Sequence, residues 1–153
     1  MCFSLNKDRP TVQLLTRTGY DVWTELANLG IPLVYGVMDG TGGEYFHTKS
    51  EDWANILSYI YFKYPMPAYQ TSRFDCEDFA LYLKGTVSAE FGINDFGIAF
   101  GYGPNGGGHA FNILRCEDKY MLWEPQTIGI YGNMFGSLFD INSNGYTVIS
   151  VLI

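Results

Sequence analysis

The stretch Arg73-Phe74-Asp75-Cys76-Glu77-Asp78-Phe79-Ala80 constrains the chain more than any other. Asp75 is placed to cap a helix, because its side chain can accept from the backbone N–H groups that a first turn leaves unpaired. Phe79, Ala80, Leu83, Val87 and Phe91 then recur at helical spacing, so Cys76 falls in the first turn of an amphipathic helix. A thiol there meets the positive end of the helix dipole, which favours the thiolate. Asp75, Glu77 and Asp78 oppose it by repulsion. A lone cysteine in such a place is more often a buried structural residue. What changes the balance is the downstream pair His109 and Glu124, the first opening a strand and the second closing the next.

A second helix is as plainly written. Thr48-Lys49-Ser50-Glu51 has the form of a capping box. Trp53, Ile56, Leu57, Ile60 and Tyr64 follow as a stripe, which Pro65 and Pro67 end. A shorter helix is expected after Asp21, with Val22, Trp23, Leu26 and Leu29 on one face and Gly30 as its stop. Strands are expected at Leu33–Met38, at Glu44–His47 after a glycine-rich hairpin loop, at Phe96–Tyr102, His109–Arg115, Tyr120–Glu124 and Tyr146–Ile153, the last as a central strand. The pattern makes a single domain of residues 1–153.

Composition limits the partners. With 47% hydrophobic and 17% aromatic residues, including twelve Tyr and eleven Phe, the chain has the material for a ring-rich core. A net charge of -7 with nine Lys+Arg argues against nucleic acid or an anionic membrane as main partner. Cys2, Cys76 and Cys116 make neither a disulfide framework nor, with two histidines, a zinc pattern, so no metal or cofactor is expected. No apolar run reaches membrane-spanning length and no secretory signal opens the chain, which suggests a cytoplasmic or virion-associated place.

Cysteine, histidine and carboxylate in this order are the parts of a thiol-nucleophile site. A hairpin turning at Glu117-Asp118 sets position 109 opposite 126 and diagonal to 124; a turn one residue earlier sets it opposite 124. Either register puts His109 and Glu124 on one face, whereas a three-residue loop would put them on opposite faces. Glu124 would then orient the imidazole, with Gln126 as its competitor, and His109 would exchange the proton of Cys76. Gln70, six residues before Cys76, would complete an oxyanion hole with the Cys76 N–H. His47 precedes a helix cap and is expected as a surface or capping residue rather than a catalytic one; Asp140-x-Asn142-x-Asn144-Gly145 reads as a turn rather than a calcium loop, since Val151 stands at its twelfth position.

DCEDFA, then Gly-His-Ala, then Trp-Glu-Pro resembles the transglutaminase-like branch of the papain-like cysteine proteinase superfamily, in its small bacterial and phage members. Cys76, His109, Glu124 and Pro125 match that family's motif positions over residues 70–126, with Glu standing where Asp or Asn is usual. The resemblance implies an α+β fold in which the nucleophile helix packs on an antiparallel sheet. It also implies thiol-dependent chemistry on a peptide or protein amide, as a cysteine peptidase, amidase or acyl transferase with a Cys76–His109–Glu124 triad. Two alternatives stand beside it: a cell-wall amidase of the NlpC/P60 kind, and an inactive papain-like module of a phage that binds protein or glycan through its aromatic surface.

Overall fold

The computed structural model describes residues 8–126 and 136–153; Cys2 lies outside them. The order is β1 (Leu15–Thr18), α1 (Gly19–Asn28), β2 (Glu44–His47), α2 (Ser50–Lys63), α3 (Cys76–Phe91), β3 (Phe96–Tyr102), β4 (Gly108–Arg115), β5 (Tyr120–Trp123), β6 (Phe139–Asp140) and β7 (Thr147–Leu152). The last five form an antiparallel sheet in the order β6-β5-β4-β3-β7, and β1 pairs with β2 in a small sheet of its own.

The large sheet is covered on both faces. Phe111, Ile113 and Leu122 point to one side with Val22 and Leu26 of α1, while Leu114 and Trp123 point to the other with Ile60, Leu83 and Val87 of α2 and α3. The two-residue alternation along β4 and β5 produces this division. Each such side chain taken from water contributes about 1.5–3 kcal/mol, which is the main force holding the layers together. Asn112, fully buried, fastens α3 to the sheet: its amide donates to the carbonyls of Ala80 (2.9 Å) and Gly97 (3.0 Å). Among the described residues no helix is long and apolar enough to cross a membrane.

Several local expectations are corrected. The capping box of α1 is built by Thr18 and Asp21, so the helix starts at Gly19, before Asp21 rather than after it. The start at Gly19 depends on a bare Cα, since a Cβ there would lie 2.0 Å from the Gly40 carbonyl oxygen. For α2 the cap position falls on Lys49, and Thr48 instead bonds Asp52 (2.7 Å). Residues 33–38 are not a strand. They bend through Gly36 (φ 74°) and touch β7 at Leu33 and Val34, so β2 finds its partner in β1 instead. β7 is an edge strand of the sheet, not a central one, and the 31–38 segment covers it: Val151 donates to Pro32 (2.9 Å) and Val34 to Val151 (2.9 Å). An edge closed by a loop buries an apolar strand as well as a central place would.

Candidate functional site

The site is built where the start of α3 meets the ends of β3 and β4. Asp75 is the N-cap of α3, and its backbone N–H donates to Asp78 (3.3 Å). Phe79, Ala80, Leu83, Val87 and Phe91 are all buried, so the helix lies on the sheet with its first turn at the sheet's end. Ala80 of this helix packs on Ala110 and Ile98 of the sheet, and the two alanines are small enough to bring Cys76 close to β4. Cys76, Glu77, Phe100, Gly101, Gly108, His109 and Ala110 line an open cleft of about 410 Å³ there.

The β4–β5 hairpin turns at Glu117-Asp118: Arg115 pairs with Tyr120, and Cys116 N–H donates to Lys119 (2.9 Å). Glu124 is therefore diagonal to His109, and its Oε2 lies 2.7 Å from His109 Nε2. The Glu124 carboxylate is fully buried and accepts two further bonds, from the Tyr146 hydroxyl (2.9 Å) and the Gln126 N–H (2.9 Å). A buried carboxylate is tolerated when its oxygens are matched by donors in this way. Gln126 contributes its backbone; its side-chain nitrogen is buried with no hydrogen-bond partner among the described residues.

Cys76 is half-buried, and its thiol donates to Glu77 Oε2 (3.2 Å). Burial pushes its pKa up to about 11; a backbone hydrogen bond from Ala110 opposes this, and Glu77 and Asp75 reinforce it. At neutral pH the sulfur is a thiol, contrary to the thiolate that a helix N-terminus suggests. Gln70 is exposed and closes a turn with its backbone, donating to and accepting from Phe74 (2.9 and 2.8 Å). It is not among the residues lining the cleft.

His47 is not a surface residue. It is 5% exposed and lies 3.8 Å from Asp95, a wholly buried carboxylate that also accepts from Arg17 Nε (2.7 Å) and the Tyr120 hydroxyl (2.6 Å). Burial lowers the His47 pKa, and Arg17 and Arg115 lower it further against the pull of Asp95. Cys116 stands at the β4–β5 turn with its side chain in the core. The 140–145 segment is a tight turn, with Asn142, Asn144 and Gly145 at positive φ.

Sequence reasoning missed two parts of the site. Tyr146 reaches Glu124 from the start of β7, across a sheet order that no local pattern announces. Gly101 sits at an irregularity of the β3–β7 register, where a Cβ would lie 1.8 Å from the Thr147 carbonyl oxygen. Its place inside a strand pattern was the available signal.

The model of the ricin-type beta-trefoil lectin C-terminal domain family matches residues 41–136, more than half of the chain. Among solved structures, the PSL1a-E64 complex is similar with a TM-score of 0.59 and 22% identity over 91% of this chain. The Polyporus squamosus lectin bound to the human-type influenza-binding epitope Neu5Aca2-6Galb1-4GlcNAc is similar with a TM-score of 0.61 and 21% identity, also over 91%. This chain spans 50% of the length of each. No curated protein sequence matches it.

These findings correct the resemblance to transglutaminase-like and papain-like cysteine proteinases. The fold is the one shared with these lectins, and the helices and open sheet described above are its form here. With the resemblance go the expected cysteine peptidase, amidase or acyl transferase, its peptide or protein amide substrate, the NlpC/P60 alternative and the papain-like phage module. The physical reason is scale. Three short motifs over residues 70–126 record a local constellation, which different folds can host, whereas the lectin match runs through the elements that build the core.

Proposed function

Since this chain belongs to the ricin-type beta-trefoil lectin C-terminal domain family, we propose that it works in carbohydrate recognition, with a glycan as its partner. The observation that carries the reading is the family match over residues 41–136. The glycan-bound Polyporus squamosus lectin, alike over 91% of this chain, supports it.

We place the ligand in the Cys76–His109 cleft. Small-molecule sites are concave, with apolar walls and a few fixed polar groups, and this cleft has both. Gly101 and Gly108 expose backbone along its floor, Phe100 offers part of a ring, and the exposed Glu77 carboxylate can accept from sugar hydroxyls. Cys76 and His109 line it, and Glu124, locked by Tyr146 and Gln126, holds the imidazole still. A rigid polar group loses little entropy when a ligand docks.

Titration of the ¹⁵N-labelled chain with Neu5Aca2-6Galb1-4GlcNAc and with its component sugars tests this placement. Saturable amide shifts at Gly101, Gly108, His109 and Ala110 are the expected result. Shifts confined to other surfaces would exclude the cleft as the glycan site, and no shifts with any sugar would count against carbohydrate recognition by this chain.

A further inference from the structure

A second cleft, of about 280 Å³, lies away from Cys76 on the outer side of α3. Leu81, Lys84, Gly85 and Ser88 form one wall, a single helix face by their spacing, and Asp39 and Asn94 stand in the other. Lys84 is the chemistry of this cleft. Its ammonium donates to the Phe96 carbonyl (2.6 Å), which leaves two of its three N–H donors without a partner among the described residues. Burial lowers its pKa, while Asp95 and Asp39 raise it. The open side of the cleft leaves these two donors to solvent, where a ligand carboxylate can take them in a charge-assisted hydrogen bond.

Gly85 gives an independent indication. A glycine in mid-helix costs roughly 0.5–1 kcal/mol relative to alanine. The described residues do not require it: among them an added Cβ at position 85 would meet nothing within 4 Å. What the missing side chain does is leave the mouth of the cleft open beside Lys84. Asn94 offers no competing donors, because its amide is already spent on Asp39 (2.8 Å) and the Glu44 carbonyl (3.0 Å). Asp39 adds a negative charge on the far wall, which works against any anion and about twice as strongly against a doubly charged one. Leu81, Met38 and Ile153 supply apolar surface.

We propose that this cleft binds a small monocarboxylate with an apolar body, its carboxylate taking the two open N–H donors of Lys84 and its body lying over Gly85 against Leu81. The site is separate from the Cys76 cleft and does not depend on the carbohydrate reading.

The test is titration of the ¹⁵N-labelled chain with hexanoate at constant ionic strength, read at the amides of Gly85, Ser88 and Asn94, with 1-hexanol and inorganic phosphate as parallel probes. Hexanoate is expected to give saturable shifts, and hexanol and phosphate much weaker ones. Lys84→Met keeps the stem and removes the charge, and should weaken hexanoate binding by about tenfold or more, as loss of a charge-assisted hydrogen bond does. Gly85→Leu fills the mouth and should abolish binding while leaving thermal stability equal or higher, so it decides the question even if Lys84→Met fails to fold. Equal shifts with hexanol, unchanged binding in Gly85→Leu, unchanged binding in a folded Lys84→Met, or no saturable shift with hexanoate would each overturn the proposal.

Discussion

At the scale of single residues, Glu124 and Cys76 carry the most informative chemistry. Glu124 is fully buried against His109, Tyr146 and the Gln126 N–H. Glu124→Ala would strand all three donors and is expected to cost about 3–5 kcal/mol in urea unfolding, as breaking a buried charged cluster does. Glu124→Gln keeps an acceptor and should cost about 1–3 kcal/mol. Equal costs for the two would mean that the carboxylate's packing, not its acceptor capacity, holds the site. For Cys76 the burial that raises its pKa to about 11 sets the expectation. Its alkylation by iodoacetamide, followed by mass spectrometry of the labelled peptide, should be slow at neutral pH and rise with pH until it levels near that value. The sign for stability follows: a thiol whose folded pKa exceeds the ordinary 9.0 contributes stability that is intact below pH 9 and lost as pH rises toward 11. A plateau already reached at pH 7 would show a thiolate and a wrong reading of this microenvironment. The positions of His109 and Glu124 on one sheet face follow from residue spacing once the hairpin closes in a two-residue turn at Glu117-Asp118; a three-residue loop would have parted them. The state of Cys76 could not be read from the sequence, because burial and a carboxylate neighbour outweigh the helix terminus only once Glu77's orientation is known.

At the scale of elements, the small β1–β2 unit is tied to the large sheet through Asp95. Arg17 on β1 donates to it, Tyr120 on β5 donates to it, and Glu25 on α1 pairs with both Arg17 and Arg115. Asp95→Ala should cost about 3–5 kcal/mol, since a partly buried arginine and a buried tyrosine lose their common acceptor. His47 makes the same junction sensitive to acid. Its folded pKa is lowered from 6.5, so its contribution to stability is intact above that pH and lost as pH falls below it. The melting temperature of the wild type should therefore drop below about pH 6.5, and His47→Gln should drop less over the same interval; parallel curves would remove His47 as the cause. None of this network is legible in sequence, because Arg17, His47, Asp95 and Tyr120 are scattered and only the register of two sheets brings them together. The α2 and α3 stripes were legible, since Trp53, Ile56, Leu57 and Ile60, like Phe79 to Phe91, bury one face each. The 31–38 segment misled because its apolar residues cover the edge of β7 without pairing along its length. That is a tertiary use of hydrophobicity with no period of its own.

At the scale of the whole molecule, the contrast is between a short constellation and a fold. Cys76, His109 and Glu124 in order suggest a cysteine proteinase, yet the match that runs through residues 41–136 is to a lectin C-terminal domain. The acidic balance of the chain, -7, is neutral on this point, because glycans are read by hydrogen bonds and ring faces more than by charge. Carbohydrate recognition stands or falls most plainly on a glycan array probed with the purified, labelled chain. Retention on a defined subset of glycans is expected, displaced by the matching free sugar and weakened when Glu77 is changed to Ala. No retention above blank on any glycan, at concentrations that would reveal a Kd of about 1 mM, would contradict it.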